Sequence, residues 1–206
     1  EKPGKFFYDN LLMGINIVES SRVFGVEKIV MISTTCAYPC HTEVPFQEDA
    51  LWQGYPELTN SGYGIAKRVL LTMCQAYKRQ YGLKFVYLIP SNMYGPHDHF
   101  NPQTSHVIPA IIQKCCQAVD RGENIVLLWG DGTPTREFLY VGDAAEAIYK
   151  ATKMYEGCGP VNIGTGEEIS IFSLANKIAE LTSFTGKFIY EPSRPNGQPR
   201  RCLDTT

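Results

Sequence analysis

The chain predicts an α/β fold built on a parallel sheet, and three observations in its 206 residues carry that expectation. Short apolar runs rich in β-branched residues alternate with longer segments whose apolar residues recur every three to four positions, the strand–helix rhythm of parallel sheets. One of the runs, Lys28-Ile-Val-Met-Ile-Ser-Thr34, is apolar and reads as a buried parallel strand, and Lys84-Phe-Val-Tyr-Leu-Ile-Pro90 reads as the next strand. The hydrophobic share of 44% supplies enough apolar material for a sizeable core.

The elements follow in order. Apolar periodicity predicts a helix over roughly Phe7–Phe24, then the Lys28–Thr34 strand. Ala37–Asn60 holds three prolines and scattered acids and reads as a long loop. A helix is expected over Ser61–Tyr81, stopped by Gly82. The Lys84–Pro90 strand feeds a polar, Pro- and His-containing loop from Gly95 to Ser105. Beyond it stand a helix over about Pro109–Arg121 and a short strand, Ile125–Trp129. Asp143 is a plausible N-cap for a helix over Ala144–Tyr155. Pro160–Gly164 reads as a strand, and Ser170 caps a last helix ending near Thr182.

Composition removes several classes of function. The net charge is −2 and the 19 basic residues are dispersed, which argues against nucleic acid as the main partner. No apolar run approaches the 18 or so residues of a membrane-spanning helix. Seven cysteines without CxxC pairs, two of them adjacent at Cys115-Cys116, read as reduced thiols of a cytoplasmic protein.

The most informative pattern is Tyr63-Gly-Ile-Ala-Lys67, set 27 residues after Cys36. Four residues on a helix is just over one turn, so Tyr63 and Lys67 share a face. A lysine ammonium beside a phenol favours the phenolate, and this pairing is expected to lower the tyrosine pKa toward neutrality. Thr34 lies at the carboxyl end of a predicted parallel strand, the edge where open α/β sheets bind ligands. Its hydroxyl would hold the same substrate oxygen that Tyr63 protonates.

This arrangement resembles the extended short-chain dehydrogenase/reductase family, whose site combines Ser/Thr with Tyr-x-x-x-Lys. Four further stretches carry the likeness: Ser33-Thr-Thr-Cys-Ala-Tyr-Pro39, Tyr94-Gly-Pro-His-Asp98, Ser105-His-Val-Ile-Pro-Ala110 and Trp129-Gly-Asp-Gly-Thr-Pro-Thr-Arg-Glu-Phe138. Threonine stands at 34 where the family usually has serine, and it supplies the same hydroxyl. The resemblance implies a Rossmann-type doubly wound parallel sheet with a smaller α/β substrate-binding lobe. The expected division is 1–92 in the nucleotide-binding domain, 93–137 in the lobe, 138–164 back in the domain and 165–206 in the lobe again. The Gly-rich turn that reads a dinucleotide pyrophosphate is not in this sequence, so the chain is expected to be part of a longer protein.

The resemblance also assigns roles. It implies a nucleotide-sugar epimerase/reductase acting on a GDP-4-keto-6-deoxyhexose with NADP(H), as a homodimer through the helices near Val18 and Leu71. Cys36 would take a proton from a carbon beside the ketone, and His106 would return one from the opposite ring face. Tyr63 would give the C4 oxygen its proton while Lys67 anchors the nicotinamide ribose; Pro90, Asn92, Met93 and His106 would line the cofactor. Lys114, Trp129, Arg136 and Arg201 would meet the GDP-sugar, since guanidinium forks suit phosphate oxygens. Arg194 and Arg200 are further cations of this kind, and for Trp129 the alternative of filling the core of the lobe is slightly favoured over covering the sugar. A metal is not expected, because His97-Asp98-His99 lacks further ligands at tetrahedral spacing. Other readings are an epimerase holding NAD without net redox change, a reductase of another keto-sugar nucleotide, and a non-catalytic binding scaffold.

Overall fold

The computed structural model describes residues 2–101, 104–194 and 196–206. Its elements are α1 (Pro3–Val23), β1 (Lys28–Ile32), α2 (Ser61–Tyr81), β2 (Lys84–Pro90), β3 (Asn92–Tyr94), α3 (Val107–Arg121), β4 (Ile125–Trp129), β5 (Thr135–Tyr140), α4 (Val141–Met154), β6 (Pro160–Ile163), β7 (Glu168–Ser170), α5 (Ile171–Thr182) and β8 (Lys187–Glu191). They fall into two compact units: Glu1–Met93, Leu139–Gly166 and Cys202–Thr206 form the first, and Tyr94–Phe138 with Glu167–Arg201 the second. The last five residues thus pack with the first unit, whereas the sequence reading kept all of 165–206 together.

The first unit is a parallel sheet of order β1-β2-β6 with helices on both faces. Strand β2 shows why its sequence does not alternate in polarity. Phe85, Tyr87 and Ile89 point to a core shared with Val18 of α1 and Leu70, Leu71 and Cys74 of α2. Val86 and Leu88 point the other way, to Leu139, Ala144 and Ile163. Both side-chain sets are buried, each large apolar residue contributing roughly 1.5–3 kcal/mol. Helices α1 and α2 meet closely because Gly14 leaves room for the Leu70 side chain.

The second unit packs α3 and α5 against a two-stranded parallel sheet, β4 beside β8. Its core joins Ile111, Cys115 and Ala118 to Val126, Leu128, Leu174 and Ile178. Here strand β4 does alternate: Val126 and Leu128 are buried while Ile125, Leu127 and Trp129 face outward. An antiparallel β5–β7 pair completes this unit.

Several boundaries move for local reasons. The first strand stops at Ile32 rather than Thr34, because the Thr34 hydroxyl accepts the Cys36 N–H and turns the backbone into a 3-10 turn over Thr35–Ala37. Helix α1 starts at Pro3, since proline suits the first helical turn. Tyr140, not Asp143, occupies the N-cap of α4; Asp143 lies in the first turn, where its carboxylate complements the helix dipole. Ser170 does cap α5, accepting the Ser173 N–H at 3.0 Å. Gly82 ends α2 in the left-handed conformation, φ 71°. No helix among the described residues is long and apolar enough to cross a membrane.

Candidate active site

The carboxyl end of β1 and the first turns of α2 come together around one point, and a glycine permits it. A Cβ at position 64 would run into the Cys36 carbonyl oxygen, so only glycine lets α2 approach the Thr35–Ala37 turn this closely. Tyr63 and Lys67, on either side of Gly64 in sequence, are thereby held beside Thr34 and Cys36. The Lys67 ammonium donates to the Ile32 carbonyl at 2.8 Å and lies 5.4 Å from the centre of the Tyr63 ring. Beneath them Tyr87 is fully buried; its hydroxyl donates to the Lys67 carbonyl at 2.8 Å and lies 2.7 Å from Ser33 Oγ.

The electrostatics differ from the sequence expectation in one respect. The Tyr63 pKa is raised above its ordinary value, first by burial and then by Cys36. Lysine does not lower it, because the ammonium sits over the ring and is spent in part on the Ile32 carbonyl. Burial likewise pulls the Lys67 pKa down. The site therefore holds a neutral phenol as a proton donor and a cation whose remaining N–H groups are free to meet a ligand.

Three residues expected along a cofactor follow β2's exit. Pro90 is buried at the strand's end, Asn92 is half-buried and Met93 is exposed. Ser91 between them is buried, and its hydroxyl has no hydrogen-bond partner among the described residues.

The other candidates belong to the second unit. His106 is exposed and holds the N-cap position of α3 without a side-chain cap bond. Lys114 donates to the Leu127 carbonyl at 2.7 Å, and burial lowers its pKa. Trp129 is 62% exposed with the Arg194 guanidinium 5.2 Å from its ring centre, so it does not fill the core. Arg136 donates to the Thr135 carbonyl at 2.7 Å, and Arg201 to the Gln198 side chain at 2.8 Å. Arg200 is committed to Glu168, through Nε at 3.1 Å. His99 pairs with the Thr104 hydroxyl at 2.8 Å.

Sequence reasoning passed over Gly64, Ser33, Tyr87 and Arg68. The signal for Gly64 was present, since a glycine inside a helical pattern often marks a close backbone approach. Tyr87 was hidden in an apolar run, where a phenol reads as one more core residue.

This geometry defines the class. The chain matches the NAD dependent epimerase/dehydratase family over residues 1–164, and it belongs to that family. Among curated proteins it is 41% identical over 203 residues to a GDP-L-fucose synthase of Sinorhizobium fredii, covering 98% of this chain and 65% of the relative. It is 37% identical to the GDP-L-fucose synthase of Escherichia coli, covering 99% of this chain and 66% of that protein. Among solved structures, a GDP-L-fucose synthetase of Naegleria fowleri bound to NADP superimposes with a TM-score of 0.93 at 32% identity, covering 98% of this chain and 65% of that one. The chain thus spans just under two thirds of the length of these relatives.

Proposed function

We propose that this chain carries the catalytic residues of a nucleotide-sugar epimerase/reductase that converts a GDP-4-keto-6-deoxyhexose to GDP-L-fucose or a close analogue. The observation that supports this most is the meeting of Thr34, Cys36, Tyr63 and Lys67 at the carboxyl end of β1, across the Gly64 contact. The likeness to the GDP-L-fucose synthases at 37–41% identity supports the choice of substrate.

The chemistry divides between two sets of residues. Protons on carbons beside a ketone are acidic because the carbanion is delocalised onto oxygen. Cys36 takes such a proton, and Thr34 and Tyr63 stabilise the developing oxyanion by hydrogen bonds. His106, from the second unit, returns a proton from the other ring face, which inverts the carbon. Reduction at C4 then needs an acid for the ketone oxygen, and the neutral Tyr63 phenol supplies it. Lys114, Trp129, Arg136 and Arg201 are the proposed contacts of the GDP-sugar.

The residues at the sheet edge fit a nicotinamide cofactor. Lys67 keeps N–H groups beyond its bond to Ile32 for ribose hydroxyls, and the unpartnered Ser91 hydroxyl lies at the same edge. When bound, NADP(H) supplies the hydride. Pro90, Asn92, Met93 and His106 complete the proposed lining, and the structure bound to NADP in the Naegleria relative supports the phosphorylated form. A cytoplasmic location accords with seven cysteines, an odd number without CxxC pairs. Val18 and Leu71 themselves are buried in the core, but exposed Phe6, Leu12, Met13 and Ile17 on α1 and Val69 on α2 support a homodimer through these two helices.

A second reading is a reductase of a keto-heptose nucleotide without epimerisation, supported by a TM-score of 0.84 at 27% identity to a GDP-mannoheptose C4 reductase of Campylobacter jejuni. One experiment separates the two. In the full-length protein Cys36→Ser replaces a thiol by a far weaker acid, so exchange of solvent deuterium into C3 and C5 of the keto sugar is expected to slow by roughly 10²-fold or more. NADPH oxidation, which rests on Tyr63 and Lys67, survives and yields mainly the non-epimerised 4-hydroxy sugar. Proton NMR of the product formed in deuterium oxide reads both, and His106→Gln should leave the exchange incomplete or stereochemically mixed. A doubly deuterated, inverted product made by Cys36→Ser at the wild-type rate would make Cys36 a packing residue.

A further inference from the structure

Arg68 follows Lys67 directly, yet it faces the opposite way from solvent. It is 5% exposed, and no carboxylate among the described residues pairs with it. Its guanidinium instead donates to two backbone carbonyls, Nε to Ala37 at 2.6 Å and Nη1 to Gly54 at 2.8 Å. The Trp52 ring centre lies 5.8 Å away, and Nη2 is buried with no partner among the described residues. Burying a cation without a counter-ion is costly, so ordinary surface solubility does not account for this residue.

The two carbonyls are not arbitrary. Ala37 is the residue after Cys36, at the end of the 3-10 turn that carries the thiol. Gly54 is on the returning limb of the same loop, where Pro39 bridges Pro56 antiparallel and the Cys40 N–H donates to the Tyr55 carbonyl at 3.0 Å. One planar fork therefore spans the neck of the loop from both sides. One turn earlier on α2, Gly64 abuts the Cys36 carbonyl. Backbone contact at 64 and side-chain contact at 68 together fix the turn bearing Cys36 to the helix bearing Tyr63. Lys67 and Tyr63 are held by other means, the Ile32 carbonyl and the Tyr87 hydroxyl on the Lys67 carbonyl.

We propose that Arg68 is a positioning residue for Cys36: by clasping the loop neck at Ala37 and Gly54 it sets the thiol for proton transfer at carbon, a step to which hydride transfer is indifferent. The proposal rests on the reading of Cys36 as the base. It assigns Arg68 no contact with substrate or cofactor.

The test compares two rates in the full-length protein with NADP(H) and the GDP-4-keto-6-deoxy sugar. Washout of the C3 and C5 protons in deuterium oxide without reductant reports the Cys36 step, and NADPH oxidation reports hydride transfer. Arg68→Met is expected to lower the ratio of exchange to hydride transfer by about tenfold or more, given that a 1 Å misplacement can cost about a hundredfold. Arg68→Lys, which can serve one carbonyl but not both, should restore part of that ratio. An equal fall in both rates means a merely structural role and overturns the proposal. So does an Arg68→Met ratio equal to wild type while Cys36→Ser has lost exchange; in that outcome the base assignment stands. Exchange at the wild-type rate in Cys36→Ser sinks the base assignment and this inference with it. Far-UV circular dichroism and the thermal midpoint check folding. If Arg68→Met does not fold, Arg68→Lys and Arg68→Gln are compared in the same way, and failure of all three to fold makes Arg68 a folding residue and overturns the proposal.

Discussion

Burial and the neighbouring Cys36 raise the Tyr63 pKa, so at neutral pH the phenol keeps its proton. That is the form a proton donor needs, and the sign sets the pH dependence of reduction. An acid with a raised pKa keeps its proton through neutral pH, so the hydride step should fall only on the alkaline side, where the Lys67 ammonium, its pKa lowered by burial, and then the phenol lose their protons. Tyr63→Phe removes the hydroxyl and leaves the Phe6 ring contact at 5.5 Å in place. NADPH oxidation with the keto sugar is expected to fall by about 10²–10⁴-fold, with an unchanged circular dichroism spectrum. Turnover within a fewfold of wild type would remove Tyr63 from the proton-donor role. The Tyr63–Lys67 spacing was legible from sequence because helical geometry alone puts both on one face. The direction of the pKa shift was not, since it is set first by burial and then by Cys36, while the Lys67 ammonium is turned to the Ile32 carbonyl of β1.

Helix α2 concentrates the site's requirements in six consecutive positions, with Tyr63, Gly64, Lys67 and Arg68 each meeting a different partner. In an isolated helix Gly64→Ala would gain roughly 1 kcal/mol from propensity. Here the new methyl meets backbone, the Cys36 carbonyl, which cannot rotate away. The net effect is expected to be a loss on the order of 1–3 kcal/mol together with a collapse of both half-reactions, read by thermal melting and by the two rates. Gly14→Ala is the informative companion: its methyl meets the Leu70 side chain, whose far end can shift, so the loss should be smaller and activity retained. At this scale the sequence was most reliable where periodicity ran long. The limits of α2 and β2 agree with those expected from residues 61–81 and 84–90. Strands β3, β5, β7 and β8 were not recognised, because they are three to six residues long and mix polar with apolar positions. The alternative that Trp129 fills the core fails for a related reason: β4 is apolar on both faces, but one of them lies open.

The whole molecule carries a pH sensitivity of its own. Cys74 faces the core from α2, 1% exposed, and burial pushes its thiol up to about 12 from an ordinary 9.0. The folded state keeps this proton while an unfolded chain releases it above pH 9, so stability is full below pH 9 and is lost as pH rises toward 12. The loss is about 1.4 kcal/mol at pH 10 from this group. The buried phenols Tyr38 and Tyr87, also raised, act in the same direction above pH 10, and Lys67 acts against them. Comparing thermal midpoints of wild type and Cys74→Val at pH 8 and pH 10 isolates the thiol: the variant should lose less between the two, and parallel losses would refute the assignment. A different consequence follows from the last five residues. The Phe46 N–H donates to the Cys202 carbonyl, the Asp204 N–H to the Phe46 carbonyl, and Asn162 donates to both Phe46 and Asp204. The loop over Cys36 is thus tied to chain made about 157 residues later, as in the Gln47–Asp204 bond. On a ribosome, the outer edge of that loop at Phe46 lacks these backbone partners until residue 204 has emerged, so this part of its closure is completed late, after the neck at Ala37 and Gly54 can already be clasped by Arg68. Contacts of such sequence separation are slow to form, which leaves the edge of the nascent loop open to proteases and oxidants during synthesis.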